Sequence, residues 1–329
     1  MYYYIDVVGS CNLRCPSCPV GSLNHSGRPE GIMEPRRFKQ ILDKIDQAHS
    51  DQTVSICLFN WGEPLLHPQL PGLIDDVRQR DWPCIISSNM NCKADFPSIV
   101  AAGPTAWRIS ISGASQETYG RTHKKGRIDK VLKAIKDLRD QMDIHPNDID
   151  VEIFYHLYRS NLGSELESTQ KMAREMGFRL AAIPAHMMPM ENYLHFKNGT
   201  LGENAGSLLD EYLIPPEELL TLTSDFSSDQ TCELFDHTMA IGHDGSVDLC
   251  CATYEADQKI ANDFCALTSE ELQACRKTAP ACRMCKDLGI HKLYEAISPS
   301  NPALKELLIP RLEQLDPSGL ASDILGLSA

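Results

Sequence analysis

Residues 11–18 read CNLRCPSC and come directly after the first apolar run of the chain. The thiols of Cys11, Cys15 and Cys18 are spaced as C-x3-C-x2-C, and the next cysteine along the chain is Cys57. Thiolates are the natural ligands of iron–sulfur clusters, and cysteines that bind such clusters occur in short runs of this kind. Three thiolates can bind three irons of a cubane cluster and leave the fourth iron open to another ligand.

Two other uses of these cysteines fit the sequence less well. Structural zinc needs four ligands, usually as two C-x2-4-C pairs, whereas the run offers three. Disulfide frameworks are typical of small secreted domains, and a chain of 329 residues can bury a core without cross-links. The 13 cysteines are many for such a chain, and in a reducing compartment this excess favours metal ligands over disulfides.

The composition excludes several functional classes. Apolar residues make up 42% of the chain and charged residues 23%, as is usual for soluble globular proteins. No apolar run reaches the roughly 18 residues of a membrane span, so we expect none. The first residues lack the positive region of a signal peptide, and we therefore expect a cytoplasmic protein. The net charge of −14 argues against nucleic-acid binding, which needs a basic surface.

Short β-branched or aromatic runs alternate with helical patterns through the first half of the chain. This alternation predicts an α/β fold with a parallel sheet, in which ligands gather at the carboxyl ends of the strands. The three cysteines lie in the loop after the first strand, where such chemistry is expected. The predicted strands cover residues 2–8, 53–59, 83–88, 106–112, 150–158 and 178–183, and two predicted helices bury Phe38, Ile41, Leu42 and Ile45 in one case and Ile128, Val131, Leu132, Ile135 and Leu138 in the other.

With this cysteine spacing the sequence resembles the radical S-adenosylmethionine (SAM) superfamily. The resemblance implies that the sheet forms a partial (β/α)6 barrel and that the open iron of a [4Fe–4S] cluster chelates the amino and carboxylate groups of SAM. One electron from the cluster then breaks the methionine C–S bond, and the 5′-deoxyadenosyl radical so released abstracts hydrogen from a substrate. A one-electron donor such as flavodoxin or ferredoxin is an implied partner.

Residues 60–64, Asn-Trp-Gly-Glu-Pro, resemble the family's G-G-E-P motif, with Trp61 in place of the first glycine. In the family this motif holds the SAM amino group; glycine lets the backbone approach closely and proline needs no donor. Polar residues at later strand ends would bind the ribose and carboxylate, and the backbone after strand six would contact adenine. Ser17 departs from the aromatic residue that many relatives place against adenine. The resemblance thus assigns SAM contacts to Asn60, Gly62, Glu63, Pro64, Ser88, Ser110, Ser112, Arg159 and Ile183.

A second set of cysteines lies downstream. Residues 242–247 are typical of a hairpin turn, which would bring Cys232 and Cys250 together on neighbouring strands, and a C-x2-C pair adds Cys282 and Cys285. Here the chain resembles the twitch version of the SPASM auxiliary domain, which implies a fully ligated auxiliary [4Fe–4S] cluster. A four-cysteine zinc site would suit the same spacings, and Cys251 competes with Cys250 as a ligand. The remaining cysteines are predicted to be buried: Cys57, Cys84, Cys92, Cys265 and Cys275.

Three domain segments and three functions follow as expectations. The radical SAM core would cover residues 1–190, a linker residues 191–230, and the auxiliary domain with C-terminal helices residues 231–329.

The resemblance favours an oxidoreductase that acts on a small polar molecule (an aminocyclitol, sugar or nucleoside), with the auxiliary cluster accepting an electron. The alternatives are an enzyme that modifies peptides or proteins by thioether formation, epimerisation or residue oxidation, and a non-catalytic iron–sulfur or zinc scaffold. An epimerase would need a hydrogen-donating cysteine such as Cys57 or Cys84, and a dehydrogenase a general base, for which the sequence offers His123, His156, His186 and Glu191 without choosing among them.

Overall fold

The computed structural model describes residues 1–22, 28–49, 54–145 and 147–327. These residues contain nine strands in one sheet. The strands are β1 (Tyr2–Ile5), β2 (Ser55–Cys57), β3 (Cys84–Ser88), β4 (Ala106–Ser110), β5 (Asp150–Leu157), β6 (Arg179–Pro184), β7 (Thr238–Ile241), β8 (Val247–Asp248) and β9 (Lys259–Ala261). Their order across the sheet is β6-β5-β4-β3-β2-β1-β7-β8-β9.

The described residues also form sixteen α-helices. Several begin with a side chain that caps the first turn: Asp95 accepts from the Ser98 N–H, and Thr268 forms a reciprocal capping box with Glu271. The helices are α1 (Pro19–Ser22), α2 (Pro35–Ala48), α3 (Leu70–Arg78), α4 (Phe96–Ala102), α5 (Gln116–Thr122), α6 (Ile128–Ile144), α7 (Ser164–Glu175), α8 (Glu191–Lys197), α9 (Glu203–Gly206), α10 (Pro216–Ser224), α11 (Glu233–His237), α12 (Ser269–Thr278), α13 (Pro280–Asp287), α14 (Leu293–Ala296), α15 (Pro302–Leu315) and α16 (Leu320–Ile324). None of them is long and apolar enough to cross a membrane, as far as the described residues go.

The first six strands confirm the predicted α/β core. Each of β1 to β6 pairs in parallel with the next along the chain, and helices connect them, as a partial (β/α)6 barrel requires. Thr53, the first residue of the predicted second strand, lies outside the described residues. Strands one, two and four are shorter than predicted, because residues 6–8, 58–59 and 111–112 leave the ladder and turn into the loops that form the site described below.

Alternation along the strands separates the core from the site. On β4, Trp107 and Ile109 are completely buried, whereas Arg108 and Ser110, which alternate with them, face a cavity inside the barrel. Each buried side chain of this size contributes about 1.5–3 kcal/mol to folding. The buried face of α2 is as predicted.

The prediction for α6 is wrong at one position, since Leu132 is 39% exposed. A helix turns by about 100° per residue, so Leu132 lies to one side of the stripe that Ile128, Val131, Ile135 and Leu138 bury.

The C-terminal region continues the same sheet. β7 pairs in parallel with β1, and β7, β8 and β9 are antiparallel neighbours, so the predicted hairpin is present. Cys232 and Cys250 are not on neighbouring strands as predicted. The residues before β7 form the short helix α11, which Cys232 caps through its thiol, and Cys250 lies in the loop after β8. The boundaries at residues 190 and 230 stay a prediction.

Candidate active site and auxiliary thiol site

The thiols of Cys11, Cys15 and Cys18 line one cavity at the carboxyl ends of the parallel strands. Its empty volume, including the open mouth, is about 1340 Å³. The loop is wound tightly, with the Cys18 N–H donating to the Cys15 carbonyl at 3.1 Å and the Gly21 N–H to the Cys18 carbonyl at 3.0 Å.

Burial makes these thiols costly to ionise without a metal. It raises the pKa of Cys11 to about 12 and the pKa of Cys15 and Cys18 above the usual value. Coordination to a metal deprotonates a thiol outright and removes this penalty. Three soft donors around an open cavity of this size therefore fit a cubane cluster with one iron left for a further ligand.

A carboxylate that the sequence did not single out holds the loop at residues 60–62. Asp6 accepts hydrogen bonds from the backbone N–H groups of Asn60 (2.8 Å), Trp61 (3.0 Å) and Gly62 (2.9 Å). Burial raises the pKa of Asp6 to about 6, although the three N–H donors act in the opposite direction. Asp6 thus ties the end of β1 to the loop after β2. An acidic residue directly after an otherwise apolar strand is the signal that could have pointed to it.

Glu63 ties the second strand end to the third. Its Oε1 accepts from the Ser88 hydroxyl at 2.7 Å and from the Leu65 N–H at 3.1 Å, and its Oε2 accepts from the Asn89 N–H at 2.9 Å. The side chain is only 3% exposed, and burial raises its pKa to about 7 against the effect of these donors. Glu63 lines the cavity, but most of its lone pairs are used in positioning the loop.

Gly62 stands where no side chain fits. A Cβ at this position would lie 1.7 Å from the Val8 carbonyl oxygen and 2.9 Å from its carbon. Both are backbone atoms, and the neighbouring Glu63 N–H donates to the Ser10 carbonyl at 3.0 Å, which fixes the two segments against each other. The glycine of the motif is therefore required by the approach of β1 and its loop to the loop after β2.

We expect Gly62→Ala to lower SAM affinity at least about tenfold and the free energy of unfolding by about 1–3 kcal/mol, because the methyl group must push the backbone apart. SAM binding to reconstituted protein and urea unfolding measure the two effects. Gly72→Ala is the matched control, since Gly72 is exposed in α3 with nothing within 4 Å of an added Cβ. That change should leave SAM binding unchanged and raise stability by about 0.5–1 kcal/mol. Equal SAM affinity in both variants would contradict the assignment of the loop at residues 60–64 to SAM binding.

Seven of the nine predicted SAM contacts line the cavity. Pro64 starts the next turn, and the Nε of Arg159 donates to the Tyr212 carbonyl at 3.1 Å. Neither of these two predicted contacts is among the described residues that line the cavity. Arg159 is outside it because the chain turns away after β5. The Ser112 hydroxyl already accepts from the His156 N–H at 3.2 Å. The seven are Asn60, Gly62, Glu63, Ser88, Ser110, Ser112 and Ile183.

The far wall of the cavity carries three histidines and an arginine. His123, His156 and His186 all line it, together with Arg108, which the sequence did not single out. Arg108 pairs with Glu152 on β5 at 3.3 Å, and its guanidinium lies 4.3 Å from the Phe154 ring centre. The spacing of Arg108 and Ser110, two residues apart on one face of β4, is the signal that would have found it.

A second cavity, of about 670 Å³ empty volume, is lined by Cys232, Cys250, Cys282 and Cys285. Cys282 and Cys285 lie one turn apart on α13. Cys251 does not line this cavity among the described residues, and its thiol lies 3.7 Å from the Thr238 hydroxyl. In the described chain, no three His, Cys, Asp or Glu side chains converge closely enough to hold one metal ion; the four thiols instead surround a space. Four soft donors around such a space fit a fully ligated cluster.

The remaining cysteines differ from the prediction in part. Cys57 and Cys84 are buried as predicted, whereas Cys92, Cys265 and Cys275 are only partly buried. Their helices and loops lie at the surface of the fold, where a thiol is half covered.

Trp61 connects the two cavities. Its indole N–H donates to the Thr253 carbonyl at 3.2 Å, and its ring packs edge-on against Tyr254. When the amide nitrogen and oxygen of Asn60 are assigned so that both find hydrogen-bond partners, the nitrogen donates to the Cys251 carbonyl at 3.0 Å. Thr253 lines the second cavity and Trp61 the first. A large residue in place of the first motif glycine therefore holds the loop of the first site against the cysteine loop of the second.

A sequence model of the radical SAM superfamily matches residues 5–173. A GTP 3′,8-cyclase of Chlorobaculum tepidum is 25% identical over 137 residues, 41% of this chain and 39% of that protein. A tungsten-containing aldehyde ferredoxin oxidoreductase cofactor-modifying protein of Pyrococcus furiosus is 26% identical over 158 residues, 46% of this chain and 43% of that protein. The chain thus spans less than half the length of these curated relatives. The structure of native anSMEcpe with bound AdoMet is 15% identical, with a TM-score of 0.56 over 96% of this chain and 99% of that one, and shares the fold.

Proposed function

The chain belongs to the radical SAM superfamily, and from this premise we propose that it oxidises a small polar substrate at a carbon that bears a hydroxyl group. The family uses a [4Fe–4S] cluster and SAM. Cys11, Cys15 and Cys18 would hold that cluster, and the loop at residues 60–63 would hold SAM beside it. When bound, the two supply a 5′-deoxyadenosyl radical, which takes a hydrogen atom from the substrate. The electron that starts this chemistry would come from a flavodoxin or ferredoxin.

The polar far wall of the first cavity supports a polar substrate. Burial lowers the pKa of His156 to about 3 and that of His123 to about 4, so both rings are neutral at pH 7. A neutral imidazole both donates and accepts hydrogen bonds, which suits hydroxyl groups. The His123 Nδ1 pairs with the Thr122 hydroxyl at 2.9 Å, whereas the His156 ring has no hydrogen-bond partner among the described residues.

The free ring nitrogens make His156 our choice as proton acceptor. Oxidation of a carbinol to a ketone removes a hydrogen atom from carbon, a proton from oxygen and one electron. The hydroxyl becomes strongly acidic as the electron leaves, so a weak, neutral base is sufficient. The proton would go to a ring nitrogen of His156, which is on β5 and lines the cavity.

The closeness of the second thiol site supports it as the electron acceptor. Cys232, Cys250, Cys282 and Cys285 would hold an auxiliary [4Fe–4S] cluster of the twitch type, which supplies a site for the departing electron. Trp61 and Asn60 join the loops of the two sites directly. Tyr294 of α14 also borders the first cavity.

Epimerisation receives less support. Cys57 and Cys84 are buried at 2% and 0% exposure, and neither lines the first cavity in the described chain. Cys84 shares the helix-facing side of the sheet with its register partner Ile56. Cys57 is on the opposite face, the face that carries Ser87 and Arg108, but it does not line the cavity among the described residues.

Anaerobic, reduced protein given SAM and a panel of polyols, sugars and nucleosides tests the proposal. We expect one class to stimulate 5′-deoxyadenosine formation and to yield a product that is two hydrogens lighter. Stimulation only by a peptide would overturn the proposed substrate class, and a product of unchanged mass would overturn the oxidation.

With such a substrate, His156→Gln should lower product formation about 10²-fold or more, as expected when a general base is lost. Cleavage of SAM should fall much less, because in the proposed reaction the proton leaves the substrate only after SAM has been cleaved. His145→Gln is the control, since His145 ends α6 away from the cavity. A His156 variant that makes product at the wild-type rate would show that the proton leaves by another route.

A further inference from the structure

Arg276 of α12 is the most deeply buried cation of the C-terminal region, at 1% exposure. Its guanidinium donates to four backbone carbonyls: Leu249 (3.1 Å), Phe235 (2.8 Å), Thr238 (3.1 Å) and Leu234 (3.1 Å). These carbonyls belong to α11, the start of β7 and the residue before Cys250. Arg276 therefore fastens together the segments that carry two of the four cysteines.

The carbonyls satisfy its hydrogen bonds but not its charge. Among the described residues, no aspartate or glutamate forms an ion pair with Arg276, and its closest ring contact is Phe235, at 4.4 Å. Buried charges in proteins are normally paired or bound to a metal centre, because an unpaired one costs several kcal/mol. The counter-charge of Arg276 therefore has to come from something other than an ion pair with an aspartate or glutamate of the described residues.

The second cavity provides the place for that counter-charge. Arg276 lines it together with all four cysteines. Glu191 also lines the cavity. Its Oε1 accepts from the Tyr254 N–H at 2.7 Å and the Glu255 N–H at 3.1 Å, and its buried Oε2 has no hydrogen-bond partner among the described residues, but the carboxylate forms no ion pair with Arg276.

We propose that Arg276 is the counter-ion of the auxiliary cluster and raises its reduction potential, so that the cluster accepts the substrate electron more readily. The inference rests on the proposed function. Four thiolates around a doubly positive [4Fe–4S] core leave two negative charges, and reduction adds a third. A fixed cation in a medium of low dielectric constant stabilises the more negative state more strongly. Charge and burial around a cluster are among the factors that set its potential.

The test is a redox titration, followed by electron paramagnetic resonance, of the full chain carrying Cys11→Ala, Cys15→Ala and Cys18→Ala, in which the auxiliary cluster is the only one. Arg276→Gln should lower the equilibrium constant for reduction at least tenfold, which is about 59 mV for one electron. Arg276→Lys keeps the charge and should recover most of that shift. Arg283→Gln, an exposed charge next to Cys282, should leave the potential unchanged, because solvent screens it.

Equal shifts in Arg276→Gln and Arg276→Lys, or an unchanged potential in Arg276→Gln, would overturn the inference. If Arg276→Gln fails to assemble the cluster, assembly in Arg276→Lys supports the role of the charge, and failure in both assigns Arg276 to structure alone. A parent chain without an auxiliary [4Fe–4S] cluster would overturn the proposed function and this inference with it. A loaded cluster that is insensitive to Arg276 would overturn only the inference.

Discussion

Replacement of Cys11, Cys15 and Cys18 together with alanine is expected to reduce SAM cleavage to the uncatalysed background while leaving one cluster in the protein. The three thiols are the soft donors of the first cavity, and SAM needs the iron that they leave open. Iron should fall from about eight to about four atoms per chain, the content of one cubane cluster. Iron and sulfide analysis, with 5′-deoxyadenosine measured by chromatography, tests both parts.

The control for this variant is Cys92→Ala. Its thiol is partly buried and does not line the first cavity among the described residues. It should keep full iron and full SAM cleavage. If the triple variant loses all iron, the second set of cysteines does not hold a cluster; if it still cleaves SAM, the first set is not the site.

The second large effect is expected at the other end of the proposed electron path. Cys285→Ala should abolish the oxidised product while SAM cleavage continues. Removal of hydrogen depends on the first site, whereas loss of the second electron depends on the auxiliary site. The expected signature is 5′-deoxyadenosine made without a matching amount of product, measured in the same reaction.

Folding has to be verified in this variant, because the four thiols lie in separate segments and metal binding is linked to folding. Cys275→Ala is the matched control, since Cys275 is a partly buried cysteine of α12 that does not line the second cavity in the described chain. A folded Cys285 variant that makes full product would mean that the second site is structural, and would favour a redox-neutral reaction.

The features that the sequence predicted are those whose physical reason lies in a few adjacent residues. The three cysteines, the alternation of strands and helices, and Gly62 are of this kind. Gly62 is required because a backbone carbonyl occupies the space of a Cβ, and glycine is the one residue type that permits this. The hairpin of β7 and β8 follows from its turn residues in the same way.

The features that the sequence did not predict depend on where distant segments meet. Asp6 ends an apolar strand, as many solvated residues do, and its three N–H donors come from a loop more than fifty residues later. Arg276 belongs to a helix of ordinary amphipathic pattern, and its burial depends on carbonyls of α11, β7 and the loop after β8. Arg159 is the opposite case, a residue that was predicted to bind SAM and does not line the cavity. Its position directly after a strand suggested the cavity, but its side chain bonds to the Tyr212 carbonyl instead.

The central claim is that one chain holds two different [4Fe–4S] clusters, one with an open iron and one closed by four thiolates. Mössbauer spectroscopy of protein reconstituted with ⁵⁷Fe, with and without SAM, tests it most directly, together with a measurement of zinc. We predict two clusters per chain, no stoichiometric zinc, and a change on adding SAM at a single iron site of one cluster. A single cluster with one zinc per chain, or a response to SAM in both clusters, would contradict the claim.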